Sequence, residues 1–449
     1  MRHWLFWLIV PTLDATAQQA SIAPAIDAYI QPYVATNNFS GQILVRRGSQ
    51  VVYERRFGDA DRERHRPITH DTRFHVASMS MQLTAAAVMR LVAQGKLSLD
   101  TRVSEIVPSV RGGERITIRN LLEQRSGLSD INSRSDYNEI LQHPQTPASL
   151  VATIANDTLL FEPGTRYLHE EHSAFNLLAL IIERKIGLAF PNAMQRLLFT
   201  PAGMSHSAAD DDATACSSDA ALGYAPLGVA ELTAATKIHW SAKAGNASAC
   251  TTARDVARFV DSLFHGALLS AGSRATVLGT AGPPVAYGWF RRQNSRFGEF
   301  AYYMNGRAPG FASFVLHLPR EDLTVVALSN IYSSATTDIG NDIAAIALGL
   351  PNKQLAVRTP LMPADSLALD GLRFTFPANF YQPNATLAFV KKGAELFLRW
   401  PSGDLSPLIP LNRDQLIDRA YWVPVGIVRN ERGIPRSITY DRFEGVRAN

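Results

Sequence analysis

Strand-forming sequence stands at both ends of a long helical middle, and this order limits the possible folds more than any other feature. Ser40 to Gly58 holds two apolar, β-branched runs separated by Arg46-Arg47-Gly48-Ser49, the pattern of a β-hairpin. Strand pattern returns only at Tyr287–Phe290, Phe314–Leu318 and Leu323–Leu328. Strands that bracket helices in this way predict an α+β domain whose first and last strands share one sheet.

The helical middle has three clear members. After Phe74-His75-Val76-Ala77-Ser78, the residues Leu83, Ala87, Val88, Leu91 and Val92 recur at helical spacing, and the pattern stops near Gly95. A second helix is expected from Ser173 to a glycine stop at Gly187, after the turn Glu162-Pro163-Gly164-Thr165. A third runs from Thr251 to Phe264, with Thr251 or Thr252 as its cap. A last helix, Ala335 to Leu348, precedes Pro351.

Beyond that proline the chain changes to short alternating runs broken by Gly, Pro and Asn, which predicts a small all-β domain over 351–449. With 449 residues the chain exceeds the about 250–300 at which single cores stop growing, so two domains are expected.

The N-terminus reads as a secretory signal over 1–17: a basic start, an apolar run from Trp4 to Val10, and Ala15-Thr16-Ala17 as the cleavage site. That run is far shorter than the about 20 residues of a membrane span, so no stable span is expected after cleavage, and the location is periplasmic or secreted. An oxidising compartment suits the two cysteines, Cys216 and Cys250, which could pair; without matching histidine spacing they are a poor zinc signature. The net charge of +4 is spread without a Lys/Arg run, which discounts nucleic acid as a partner despite a pI of about 9.0.

Several short pieces, in one order, carry a resemblance. Phe39-Ser-Gly-Gln-Ile-Leu-Val45, Asp71-Thr-Arg-Phe74, Val76-Ala-Ser78, Leu121-Leu122, Ser126-Gly127-Leu128, Pro163-Gly164-Thr165, Pro201-Ala-Gly-Met204, Asp255-Val-Ala-Arg-Phe259, Pro309-Gly310-Phe311 and Val326-Ala-Leu-Ser-Asn330 resemble the class C-like serine β-lactamases and penicillin-recognising hydrolases, with their esterase and D-aminopeptidase relatives. The resemblance spans about residues 20–350. It implies an α/β sandwich, a β-lactamase/transpeptidase-like domain with an antiparallel sheet and a helical subdomain over 18–350, and a C-terminal lipocalin-like appendage.

It also implies three motifs: a serine opening a helix with a lysine one turn on, a Tyr-x-Asn loop motif, and a Lys/His-x-Gly edge strand. The serine is Ser78. One turn on stands Met81, a thioether that cannot take its proton. Anchoring the second motif on Phe175 puts Glu170 and His172 at its positions, and anchoring on the Pro163 turn gives His169 and Glu171. At the third, Met304 replaces the basic residue and Gly306 is kept, so a close backbone approach survives. Acid/base groups typically contribute about 10²–10⁴-fold each, so three replacements predict little turnover of the family's kind.

Two uses remain open for Ser78. It could be a nucleophile with a substitute base drawn from His75, His169, Glu170, Glu171 and His172, or it could simply cap its helix, the plainer use. The run His169-Glu170-Glu171-His172 offers metal donors, but adjacent residues rarely converge on one ion, and neither a metal nor a cofactor is expected. Arg307 could hold a ligand carboxylate, although a solvated loop arginine is the commoner case; Ser80 is a further candidate for binding. Met79, Met81 and Met304 could make an apolar pocket floor or simply pack in the core, and the two uses are compatible. The leading expectation is a pseudo-hydrolase that binds a small molecule, peptide or protein in the cleft. Its rival is a divergent esterase, amidase or peptidase acylated at Ser78.

Overall fold

A computed structural model describes residues 15–448 apart from 169–170, 213–215, 217–219, 267, 280–282 and 353–367. Residues 1–14 of the expected signal lie outside the described residues, and 15–17 begin a helix, α1 (Ala15–Ala35).

Among the described residues, seven antiparallel strands make the main sheet: β1 (Gly41–Arg47), β2 (Gln50–Phe57), β3 (Val285–Ala286), β4 (Trp289–Asn294), β5 (Glu299–Ala308), β6 (Phe311–Leu318) and β7 (Leu323–Ser329). Their order is β3-β4-β5-β6-β7-β1-β2, so the first and last long strands are neighbours as expected, with Gly41 opposite Ser329. The sheet is covered on both faces, and β6 and β7 are buried at every position, which is why they read as unbroken apolar runs.

One face carries α1 and α5 (Ala335–Ala347), where Ile26, Ile30, Ile339 and Ile343 share a core with Phe314 and Val325. Tyr29 donates a hydrogen bond to Asp342 Oδ2 at 2.7 Å across these two helices. The other face carries α2 (Ser80–Ala93), α3 (His172–Ile186) and α4 (Ala253–Phe264) in the larger core. Each ends or begins as its sequence dictates: Thr252 Oγ1 accepts from Asp255 N, and Gly187 takes the left-handed conformation that stops α3.

The C-terminal part is a closed barrel of eight antiparallel strands: β8 (Arg373–Thr375), β9 (Thr386–Lys392), β10 (Glu395–Arg399), β11 (Leu405–Asn412), β12 (Gln415–Asp418), β13 (Val423–Arg429), β14 (Pro435–Tyr440) and β15 (Phe443–Arg447). Pairing of Phe374 with Arg447 closes it. Its interior is filled by Phe374, Leu387, Phe389, Leu398, Leu408 and Tyr440.

The barrel is tied down by the loop after β12. Arg419 is fully buried, and its guanidinium donates to Asn38 Oδ1 at 2.9 Å and to the carbonyls of Asn37 and Glu231 at 2.9 and 2.7 Å. Among the described residues no helix is long and apolar enough to cross a membrane.

Candidate functional site

Ser78 sits at the junction of strand and helix, in a single turn of 3₁₀-helix (Ala77–Met79) that leads into α2. Ala77 holds φ +50°, a left-handed backbone that L-residues avoid at a cost of about 1–3 kcal/mol. Such a bend sets the serine apart from the regular helix. Its cap is absent: neither this turn nor α2 has a side-chain capping bond, so the plainer use of Ser78 is not found. Among the described residues the Ser78 hydroxyl has no hydrogen-bond partner.

Strand β5 runs beside it. A Cβ built on Gly306 would lie 2.8 Å from Ser78 N and closer still to Val76 O, so only glycine allows this approach. Strand β4 pairs with β5 only as far as Tyr303, which leaves the edge of Met304–Ala308 free of a strand on that side. Ser313 Oγ donates to Val76 O at 2.6 Å and fixes the turn from below.

Ser78 shares a cleft of about 280 Å³ with Asn132, His172, Lys243, Asn246, Ala247, Asn305, Arg307, Ala308, Tyr332 and Ser334. His172, the first residue of α3, is 8% exposed, with Nδ1 3.2 Å from Asp130 Oδ2 and Nε2 3.3 Å from Asn132 Nδ2. An amide that donates to Nε2 places the ring proton on Nδ1, toward Asp130. Lys243 Nζ donates to the Tyr137 hydroxyl and stands 4.8 Å from the centroid of its ring. Burial, with the charge of Asp130 adding, pushes the Tyr137 phenol above its ordinary 10.0, so it stays protonated beside the ammonium.

The three methionines take the plainer of their two expected uses, packing. Met79, Met81 and Met304 are 1%, 0% and 3% exposed and belong to the large apolar core, and none lines the cleft. The cleft wall is polar because the 3₁₀ turn, α2 and β5 direct these side chains into the core. Ser80 is also no binding residue: it is buried, and its Oγ accepts from Ala249 N at 3.0 Å.

Arg307 is neither a solvated loop arginine nor an open carboxylate clamp. It lies on β5 at the cleft wall, donates to Ala420 O at 2.8 Å, and is sandwiched 4.5 Å from the ring of Tyr332 and 3.9 Å from that of Tyr421. Burial opposes its charge, but the neighbouring Tyr332, Tyr421 and Asp418 outweigh it and raise its pKa. The barrel loop thus forms part of the rim.

The remaining candidates separate. His169 and Glu170 lie outside the described residues. Glu171 is fully buried and turned away from the cleft, accepting from Ser126 Oγ at 2.6 Å and Gly127 N at 3.1 Å, while burial pushes its carboxyl up to about 7. Glu171 and His172 therefore point to different places and do not share an ion. His75 belongs to another cavity: Nε2 is 2.8 Å from Asp210 Oδ2, and the ring stacks 3.6 Å from that of Trp240. Cys216 and Cys250 form a disulfide. Cys250 is held in a small sheet, opposite both His75 and Ala208.

Sequence reasoning missed Asp130, Asn132 and Lys243. Asp130 stands two residues after Ser126-Gly127-Leu128, which would have marked it; Lys243 stands in the otherwise uncharged stretch Trp240-Ser-Ala-Lys-Ala, and a buried lysine is uncommon.

The family model described as Beta-lactamase matches residues 26–349. Among similar proteins, Esterase EstB of Burkholderia gladioli is 32% identical over 43% of this chain and 54% of its own length. The putative penicillin-binding protein PbpX of Bacillus subtilis is 31% identical over 40% of this chain and 43% of its own. The chain thus spans about half the length of these relatives. Among solved structures, a penicillin binding protein from Bacillus halodurans has a TM-score of 0.64 at 25% identity, covering 72% of this chain and 98% of that one. The octameric penicillin-binding protein homologue from Pyrococcus abyssi, at 19% identity, has a TM-score of 0.64 and shares the fold over 94% of this chain and 99% of its own.

Proposed function

The chain belongs to the β-lactamase family, and from that premise we propose that its Ser78 cleft binds a ligand without the family's efficient acyl transfer, as a pseudo-hydrolase. The observation that carries this reading is the isolation of the serine: among the described residues no base is hydrogen-bonded to its hydroxyl, and the position one turn on is Met81, sealed in the core. The polar wall of Asn132, His172, Lys243 and Asn305 suits a polar small molecule or peptide. Export to the periplasm or the medium is part of the proposal, supported by the N-terminal signal pattern and the Cys216–Cys250 disulfide.

One observation favours a second reading, a divergent serine esterase, amidase or peptidase. Asp130 orients the His172 ring in the same cleft, and catalytic hydrogen bonds can tighten only when substrate is present.

A fluorophosphonate probe separates the two. The pseudo-hydrolase reading expects no stoichiometric adduct on folded protein and no ester hydrolysis. A stoichiometric adduct that Ser78→Ala abolishes overturns it, and loss of that adduct in His172→Gln assigns the base.

A further inference from the structure

Away from the Ser78 cleft, the end of α4, the end of β6 and the turn into β7 bring His265, His317 and Asp322 together. One donor atom from each lies within 4.8 Å of the others. His317 is 1% exposed, and its Nδ1 is 3.0 Å from Oγ1 of Thr324, its paired residue on β7. Its Nε2 is buried and, among the described residues, has no hydrogen-bond partner. A buried ring nitrogen in that state is costly, and native structures rarely keep one without a use. His265 is arranged alike: Nδ1 is 3.3 Å from Asp261 Oδ1, and Nε2 faces Asp322 Oδ1 at 3.5 Å.

Both imidazoles thus have Nδ1 held by an oxygen of the protein, which leaves Nε2 for something else. Ligating histidines are fixed in this way, the second nitrogen bound to a carboxylate or other oxygen that sets tautomer and ring angle. We propose that His265, His317 and Asp322 form a binding site for a borderline divalent cation of the zinc class, with Asp261 and Thr324 orienting the two rings. Two imidazole nitrogens and one carboxylate oxygen suit zinc rather than calcium or magnesium, which take oxygen sets. His265 and Asp322 are partly exposed, so the ion has a route in and a position for water.

Burial, with His265 and Arg46 adding, holds the His317 pKa down to about 3, so the ring is in the neutral form that ligates. Arg46 also pairs with Asp261 at 2.5 Å, so Asp322 supplies the carboxylate charge that the ion meets. A bound cation would pin the C-terminal end of α4 to the β6–β7 hairpin.

The test uses the untagged full chain, stripped with a chelator and titrated with ZnCl₂ by calorimetry and with CoCl₂ by visible absorption. The expected result is one Zn²⁺ per chain with a tetrahedral Co²⁺ spectrum. Affinity should fall by about tenfold or more in His265→Ala and in Asp322→Ala, both at partly exposed positions, and by about tenfold in Asp261→Asn, with circular dichroism unchanged. Absence of stoichiometric binding, or affinity unchanged in both His265→Ala and Asp322→Ala, overturns the site.

Discussion

Two of the histidine–aspartate pairs in the α/β domain, His75–Asp210 and His172–Asp130, are built for opposite purposes. His75 stands three residues before Ser78 in sequence, yet its pair with Asp210 is sealed: both side chains are about nineteen-twentieths buried, the ring is stacked on Trp240, and burial, only partly offset by Asp210, holds its pKa below the ordinary value. His172–Asp130 is far from Ser78 in sequence and opens on the cleft, with longer contacts of 3.2 and 3.3 Å and side chains 10% and 20% exposed. Chain continuity puts His75 beside the serine's turn; tertiary packing puts His172 in the serine's cleft. A histidine close to a nucleophile in sequence is therefore a poor guide to the group that faces it.

The contrast can be broken by removing each ring. His75→Ala leaves Asp210 buried without its partner and empties a stacked site, and should cost about 3–5 kcal/mol of unfolding free energy in urea titrations. A loss below about 1 kcal/mol would show that the sealed pair is not structural.

The neighbour of His172 sharpens the comparison through pH. Glu171 carries a proton in the folded chain up to about 7 against an ordinary 4.5, because burial outweighs the donors from Ser126 and Gly127. Its contribution to stability is fully present below about pH 4.5 and is lost as pH rises through 7, a change of about 3 kcal/mol. Glu171→Gln should flatten that slope in thermal unfolding followed from pH 4 to 8, and an unchanged slope would assign it to other groups.

The smallest effect belongs to the open pair. His172→Ala should change stability by only about 1 kcal/mol, since Asp130 keeps access to water, while altering whatever the cleft binds. Calorimetric unfolding of the variant beside wild type checks the first half of this statement, and a loss as large as that of His75→Ala would erase the distinction.

The fold was largely legible because its signals are local or periodic. The hairpin at Ser40–Gly58, the helices that became α2, α3 and α4, and the all-β tail each carry their own pattern of apolar spacing and turn residues. Helix α1 was not read, since Pro24 and Pro32 interrupt it and its apolar face is defined by α5, far along the chain.

The site was legible only at its anchors. Ser78 and Gly306 follow from motif and backbone, but the direction in which Met81 and Met304 point depends on which face of α2 and β5 meets the core, and that requires the packed sheet. Lys243, Asp130 and Asn132 reach the cleft from segments whose convergence no spacing in the sequence encodes. The disulfide was undecided for the same reason: a separation of 34 residues does not tell whether its halves meet, and only the fold around Cys250 does.

The grip of the barrel on Arg307 has a consequence for how such a cleft diversifies. Its guanidinium meets Ala420 O and the Tyr421 ring, so the electrostatic character of one wall is dictated by a loop 113 residues downstream. The next residue, Trp422, packs with Ile409 and Ile417 into the core under α1 and α5, so the same loop that sets the cation at the rim is anchored in the sandwich. Changes at Ala420 and Tyr421 would retune that wall while every residue around Ser78 in the sandwich stays as it is.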